Sequence, residues 1–88
     1  MHHHHFDAYR EGFQQGNAVG EQYASRGQTE PTGENLKDLA RREAERLHVT
    51  RDRDQWLKGF RDGFAHGYET LSKQAVLDAS FPTSNFSY

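Results

Sequence analysis

Glycine recurs every fourth residue in two separate stretches of this chain, Gly12, Gly16 and Gly20 in one and Gly59, Gly63 and Gly67 in the other. Both stretches otherwise carry helix-compatible residues, and a spacing of four places all three glycines on one helical face. Each glycine inside a helix costs about 1 kcal/mol relative to alanine, so the six together cost on the order of 6 kcal/mol. That is comparable to the whole stability of a small domain. A compensating interaction is required, and a helix face without side chains supplies one. It lets a second backbone approach closely enough for dense dispersion contact.

An aromatic follows its glycine directly in Gly12-Phe13, Gly59-Phe60, Gly63-Phe64 and Gly67-Tyr68. A bare groove therefore runs beside an aromatic ridge. This predicts that the two glycine-bearing helices pack groove to ridge through Gly12, Phe13, Gly16, Trp56, Gly59, Phe60, Gly63, Phe64 and Gly67. The partner helix can come from the same chain or from a second copy in a homodimer. The same glycine spacing marks helix pairs in membranes, but Arg10, Glu11, Glu21, Arg61 and Asp62 stand among these glycines. With no run of 18 apolar residues, the chain has no membrane span. Nor does an apolar segment of secretory type follow the N-terminus, so the expected address is cytoplasmic.

The stretches also repeat one another. Tyr9-Arg10-Glu11-Gly12-Phe13-Gln14-Gln15-Gly16 aligns with Phe60-Arg61-Asp62-Gly63-Phe64-Ala65-His66-Gly67, at an offset of 51 residues. Two copies are too few for a solenoid; two similar helices facing each other is the simpler reading.

Around these blocks the pattern predicts an all-α fold, a small three-helix bundle. Long first and third helices pack through their glycine faces, with a short middle helix between them. The first helix is predicted from about Phe6 to Tyr23 or Ala24, with Phe6, Tyr9, Phe13 and Val19 or Tyr23 giving partial helical periodicity. Residues 25–33 are polar and broken by Gly27, Pro31 and Gly33, a loop. The second helix is predicted from Glu34 or Asn35 to Leu47 or His48, with a narrow buried stripe of Leu36, Leu39, Ala40, Glu43 and Leu47. Thr50 or Asp52 can cap the third. It is predicted to run from Asp52 to about Ala79, its apolar stripe being Trp56, Phe60, Phe64, Tyr68 or Leu71, Ala75 and Val76. Met1 and the run His2–His5 can be read as a metal-binding tract but read first as the remnant of a purification tag. Residues 6–79 then form one helical domain, and residues 80–88 an irregular tail carrying Phe81, Phe86 and Tyr88.

Only 33% of the 88 residues are apolar, while 12% are aromatic. The core must therefore be built from few but large side chains, each aromatic burying roughly 150–250 Å². The absence of cysteine removes disulfides, thiolate catalysis and cysteine zinc sites together. Beyond the N-terminal run only His48 and His66 remain, on different predicted helices, and no sequence motif pairs a nucleophile with a base or cradles a phosphate. The expectation is a binding protein, not an enzyme, with no cofactor and no metal.

The net charge is −2, unevenly spread. Residues 36–61 hold eight Lys or Arg against five acids, while the flanking stretches are acidic. Arg41, Arg42, Arg46, Arg51, Arg53, Lys58 and Arg61 are the candidate nucleic-acid contacts, since phosphate binding scales with the number of basic groups engaged. Asp38, Glu43, Glu45, Asp52 and Asp54 interleave with them, as on an ordinary solvated helix.

The segment Arg53-Asp54-Gln55-Trp56-Leu57-Lys58-Gly59-Phe60-Arg61-Asp62-Gly63 resembles the second helix of bacterial ribosome modulation factor, with its Arg-x-Gln-Trp-Leu-x-Gly-aromatic-Arg-acid pattern. Ala8-Tyr9-Arg10-Glu11-Gly12-Phe13-Gln14-Gln15-Gly16 is similar to that family's first helix, Ala-x-x-x-Gly-aromatic-x-x-Gly. Related small proteins linked to fluoroquinolone resistance share the two-helix pattern. The resemblance implies two packed helices and binding to the ribosome or its rRNA that silences translation in slow growth. The alternative expectation is a protein–protein interaction module, such as a small phage- or plasmid-type inhibitor of a host protein, acting through the aromatic and glycine surface.

Overall fold

A computed structural model describes residues 7–80 of the chain, with side chains described to residue 74. It contains three helices: α1 (Ala8–Ser25), α2 (Gly33–Arg46) and α3 (Arg53–Ser80). The expected run of histidines, Phe6, the tail with Phe81, Phe86 and Tyr88, and the side chains of Ala75 and Val76 lie outside the described residues.

Local chemistry sets the boundaries. Asp7 caps α1, its carboxylate accepting from the Arg10 backbone N–H at 3.2 Å, which satisfies one of the free donors of the first turn. At the other end Gly27 has φ +69°. The Gln28 N–H donates to the Tyr23 carbonyl at 3.0 Å and the Gly27 N–H to that of Ala24 at 3.1 Å. This is the paired bonding of a Schellman stop. Helix α2 ends the same way, Val49 donating to Ala44 at 2.8 Å and His48 to Glu45 at 3.1 Å. There the left-handed position is held by His48, φ +57°. Asp52, at φ +49°, precedes α3, and its carbonyl accepts from the Trp56 N–H at 3.1 Å.

Helices α1 and α3 pack against each other over most of the length of α1, and α2 lies chiefly on α3. The glycines explain the first contact. A methyl group built on Gly12 would overlap the carbonyl oxygen of Trp56, one on Gly16 that of Phe60, and one on Gly20 that of Phe64. Reciprocally, Gly59, Gly63 and Gly67 sit over the carbonyl oxygens of Tyr9, Phe13 and Asn17. All six glycines are buried. Each Cα hydrogen thus faces a carbonyl of the other helix, the recurring geometry of a Cα–H···O contact. Only glycine permits it.

Residue numbers rise together along the two helices, so α1 and α3 run parallel. Parallel neighbours need a long return connection, and α2 provides it: 14 residues span about 21 Å at 1.5 Å per residue.

The contacts also correct the register of the internal repeat. Gly12 matches Gly59, Gly16 matches Gly63 and Gly20 matches Gly67, each lying over the carbonyl three residues before its counterpart. The structural correspondence is therefore an offset of 47 residues, one helical turn short of the 51 that best aligns the sequence. In this register Tyr9, Phe13 and Asn17 of α1 correspond to Trp56, Phe60 and Phe64 of α3. The pair has an approximate two-fold axis running along it.

Helix α2 breaks that symmetry by covering one ridge only. The core consists of Trp56, Phe60 and Phe64 with Leu39, Ala40, Ala44 and Ala8, and Val19, Tyr23, Leu36, Val49, Leu57 and Tyr68 close around it. Trp56 and Phe60 are stacked at 5.4 Å, and Tyr23 meets Phe64 edge-on at 5.2 Å. The small Ala40 and Ala44 let α2 approach the ring row. The α2 stripe accordingly lies slightly differently from its prediction. Ala44 is fully buried, whereas Leu47, the C-cap residue of α2, is 38% exposed.

Candidate functional site

Among the described residues no group of His, Asp and Glu is arranged to hold a metal ion. His48 follows α2 and His66 lies on α3. Three surface regions carry the remaining chemistry.

The first is the basic set. Of the seven predicted contacts, Arg41 pairs with Asp38, Arg46 with Glu43 at 2.7 Å, and Arg53 with Glu45 at 4.0 Å. Arg53 also donates to the Val49 carbonyl at 3.2 Å, which ties the start of α3 to the end of α2. The hydrogen bond from Arg46 to Glu43, with its charge attraction, raises the Arg46 pKa above its ordinary value. Arg42, Lys58 and Arg61 have no ion-pair partner among the described residues. At 100° per residue, Arg41, Arg42 and Arg46 fall on the outer side of α2 with Glu34, Asp38 and Glu45. Lys58 and Arg61 share the outer side of α3 with Asp54 and Asp62. The structure thus distributes the basic groups over two helices and interleaves them with acids.

The second region is the ridge that α2 leaves open. Phe13, predicted as a packing residue, is half-buried here. Its ring lies 6.2 Å from that of Tyr9 and 5.6 Å from that of His66. Polar links across the helix pair replace the missing cover. The Tyr9 hydroxyl donates to Asp62 Oδ2 at 2.6 Å, and His66 Nδ1 lies 3.1 Å from the accepting Asn17 Oδ1. Asn17 Nδ2 in turn donates to Glu21 at 3.4 Å. The hydrogen bond to Asp62, more than burial or the nearby charge, holds the Tyr9 phenol above its ordinary pKa. The glycine columns are closed inside the helix pair. Of the predicted aromatic and glycine surface, Trp56, Phe60 and Phe64 are closed, Tyr68 is half-buried on α2's side of the pair, and Tyr9 and Phe13 are the half-buried rings on this side.

The third region escaped the sequence. A cleft of about 440 Å³ opens between the N-terminal half of α1, the connection from α2 to α3 and the start of α3, lined by Glu11, Gln15, residues 47–51 and Trp56. Its lining includes His48, which with Asp52 lies in the left-handed region among the described non-glycine residues, and Leu47, the exposed large apolar residue of the described chain. The exposed backbone conformation of His48 left no mark in the pattern, because a helix stop of this kind ordinarily shows as glycine. A second, more polar recess of about 360 Å³ lies between Tyr23, the 29–31 loop and α2, with Asn35, Asp38, Leu39 and Arg42 on its wall.

No helix among the described residues is long and apolar enough to cross a membrane. No family model, no curated protein and no solved structure matches this chain.

Proposed function

We propose that this chain is a small, non-enzymatic regulatory protein of the cytoplasm that binds the ribosome or its rRNA, as ribosome modulation factor does. The observation that supports the reading is the arrangement of the two blocks on which the resemblance rests. Ala8–Gly16 and Arg53–Gly63 lie on separate helices yet form one contact, each glycine of one block seated on the backbone of the other. The signature residue Trp56 is buried in that unit.

Binding to rRNA draws its affinity from phosphate contacts and weakens as salt releases the counterion advantage. Arg42, Lys58 and Arg61 are the contacts available without breaking an internal ion pair. Cosedimentation with purified ribosomes over a salt series tests the reading. Retention in the ribosomal pellet that falls steeply with salt, and is lost in Arg42→Glu with Lys58→Glu, supports it. Retention independent of salt, or unchanged in the double variant, contradicts it.

One observation favours a second reading, a protein–protein interaction module of the kind that inhibits a host protein. Four of the candidate basic groups are already engaged and the rest are divided between two helices, whereas Tyr9 and Phe13 form a half-buried aromatic ridge that no other element among the described residues covers. Capture from nuclease-treated lysate separates the two. A stoichiometric protein retained without RNA, and lost in Phe13→Ser, supports the module; loss of all capture on nuclease treatment supports rRNA. A homodimer through the same ridge is the simplest self-association, and a solution mass measurement decides it.

A further inference from the structure

On the open side of the helix pair α1 carries a stripe of its own. Arg10, Phe13, Gln14, Asn17 and Glu21 stand at i, i+3, i+4, i+7 and i+11, the spacing that keeps residues on one helical face. Eleven residues complete three turns to within about 20°. Arg10 and Glu21 therefore project from the same side of α1, about 17 Å apart along its axis. Phe13 and Asn17 show which side this is. The Phe13 ring lies 5.6 Å from that of His66, and His66 Nδ1 lies 3.1 Å from Asn17 Oδ1. The stripe thus borders the ridge that α2 leaves open. Arg10 and Glu21 are both exposed, and neither forms an ion pair among the described residues.

A cation at one end of a stripe and an anion at the other make a surface that complements itself when reversed. In a two-fold dimer the same patch serves on both copies. With α1 antiparallel to α1 of a second copy, Arg10 of each lies opposite Glu21 of the other, and the ion pair forms twice. The centre of that contact falls between residues 15 and 16. Gln14 of each copy then meets Asn17 of the other, and each Phe13 lies about 4 Å along the axis from the centre, close enough for the two rings to cover one another. A parallel pairing of the same faces sets Arg10 beside Arg10 and Glu21 beside Glu21, which like-charge repulsion opposes. The other carboxylate at this ridge, Asp62, belongs to α3 and already accepts from the Tyr9 hydroxyl, so the contact is centred on α1.

We propose that the open ridge is a self-association surface, in which α1 packs antiparallel against α1 of a second copy through two reciprocal Arg10–Glu21 pairs that flank the Phe13 rings. The patch is one short helix face, so the association is weak and concentration-dependent. The proposal deepens the protein–protein reading, in that it rests on the same open ridge, and it is independent of rRNA. A host protein seated on the ridge would compete with the second copy.

Sedimentation equilibrium of the intact chain from about 5 μM to 1 mM tests the proposal, with a chelator present so that no metal links copies through His2–His5. The expected mass rises from monomer toward dimer across this range. Arg10→Glu and Glu21→Arg each set like charges against one another at both contacts, and each should weaken the dimer roughly fivefold or more. Neither change strains the fold, because an acid near the start of a helix and a base near its end both suit the helix dipole. Mixed in equal amounts, the two variants offer opposite charges at both contacts and should regain the affinity of the unchanged chain to within about twofold. A monomer mass up to the highest concentration overturns the proposal. So does a dimer that either charge reversal leaves unweakened, or a mixture that associates no better than its components. Phe13, Arg42 and Lys58 are unchanged in both variants, so failure here is distinct from failure of host-protein capture or of ribosome retention.

Discussion

Gly27 and His48 occupy the same place after successive helices, and the comparison isolates what a side chain costs there. Both lie in the left-handed region and both stop their helix by the same pair of hydrogen bonds. For a residue with a Cβ this conformation costs roughly 1–2 kcal/mol. His48→Gly is therefore expected to raise stability by about 1 kcal/mol, measured by urea denaturation, whereas Gly27→Ala should lower it by a similar amount. The other residue with a distinct signature is Tyr9. Its hydrogen bond to Asp62 raises the phenol pKa above 10.0. The folded state thus favours the protonated phenol, and the bond's contribution is complete below the unfolded value and lost as pH climbs through the raised one. Ultraviolet titration should find one tyrosine ionising late, and Asp62→Asn should return it toward the ordinary range. An unchanged titration curve in Asp62→Asn would show that the link does not persist in solution.

At the scale of elements, α2 distinguishes pattern from packing. Its spacing alone places Leu36, Leu39, Ala40, Glu43 and Leu47 on one stripe, yet the Schellman turn after Arg46 carries Leu47 out to solvent, while Ala44 enters the core. Leu39→Ala is accordingly expected to cost about 2–4 kcal/mol as a core truncation. Leu47→Ala should stay within about 0.5 kcal/mol, as a surface change does. Paired thermal melts compare them, and equal shifts would place both leucines in the core. The α3 stripe of Trp56, Phe60 and Phe64 was legible because large rings at four-residue spacing outweigh everything near them. The α1 face was less so. Its rings Tyr9 and Phe13 lie beside the contact, and the contacting surface is the glycines themselves with Ala8. The cleft was illegible for a different reason: it is made where the 47–51 connection lies against α1 and the start of α3, and no local pattern encodes that meeting.

For the whole molecule, the sequence announced that two glycine faces nest but left their direction open. Direction follows from the reciprocal contacts, which match Gly12 with Gly59, Gly16 with Gly63 and Gly20 with Gly67 in a parallel pair. The best sequence alignment lies one turn away because the motif Arg-acid-Gly-Phe is shared, whereas the packing is governed by glycine position alone. Among the described residues the fold then has one ridge under α2 and one that no helix covers, and the protein–protein reading uses the ridge that this asymmetry leaves open. The nest itself is tested most directly by the unfolding midpoints of Gly16→Ala and Gly63→Ala. At an exposed helical site this change stabilises by about 1 kcal/mol. Here the new methyl meets the carbonyl of Phe60 or Phe13, and forcing the backbones apart should produce a net loss of about 2 kcal/mol or more in each variant. Midpoints that hold steady or rise in both would contradict the account, because they would mean that no backbone lies against these glycines.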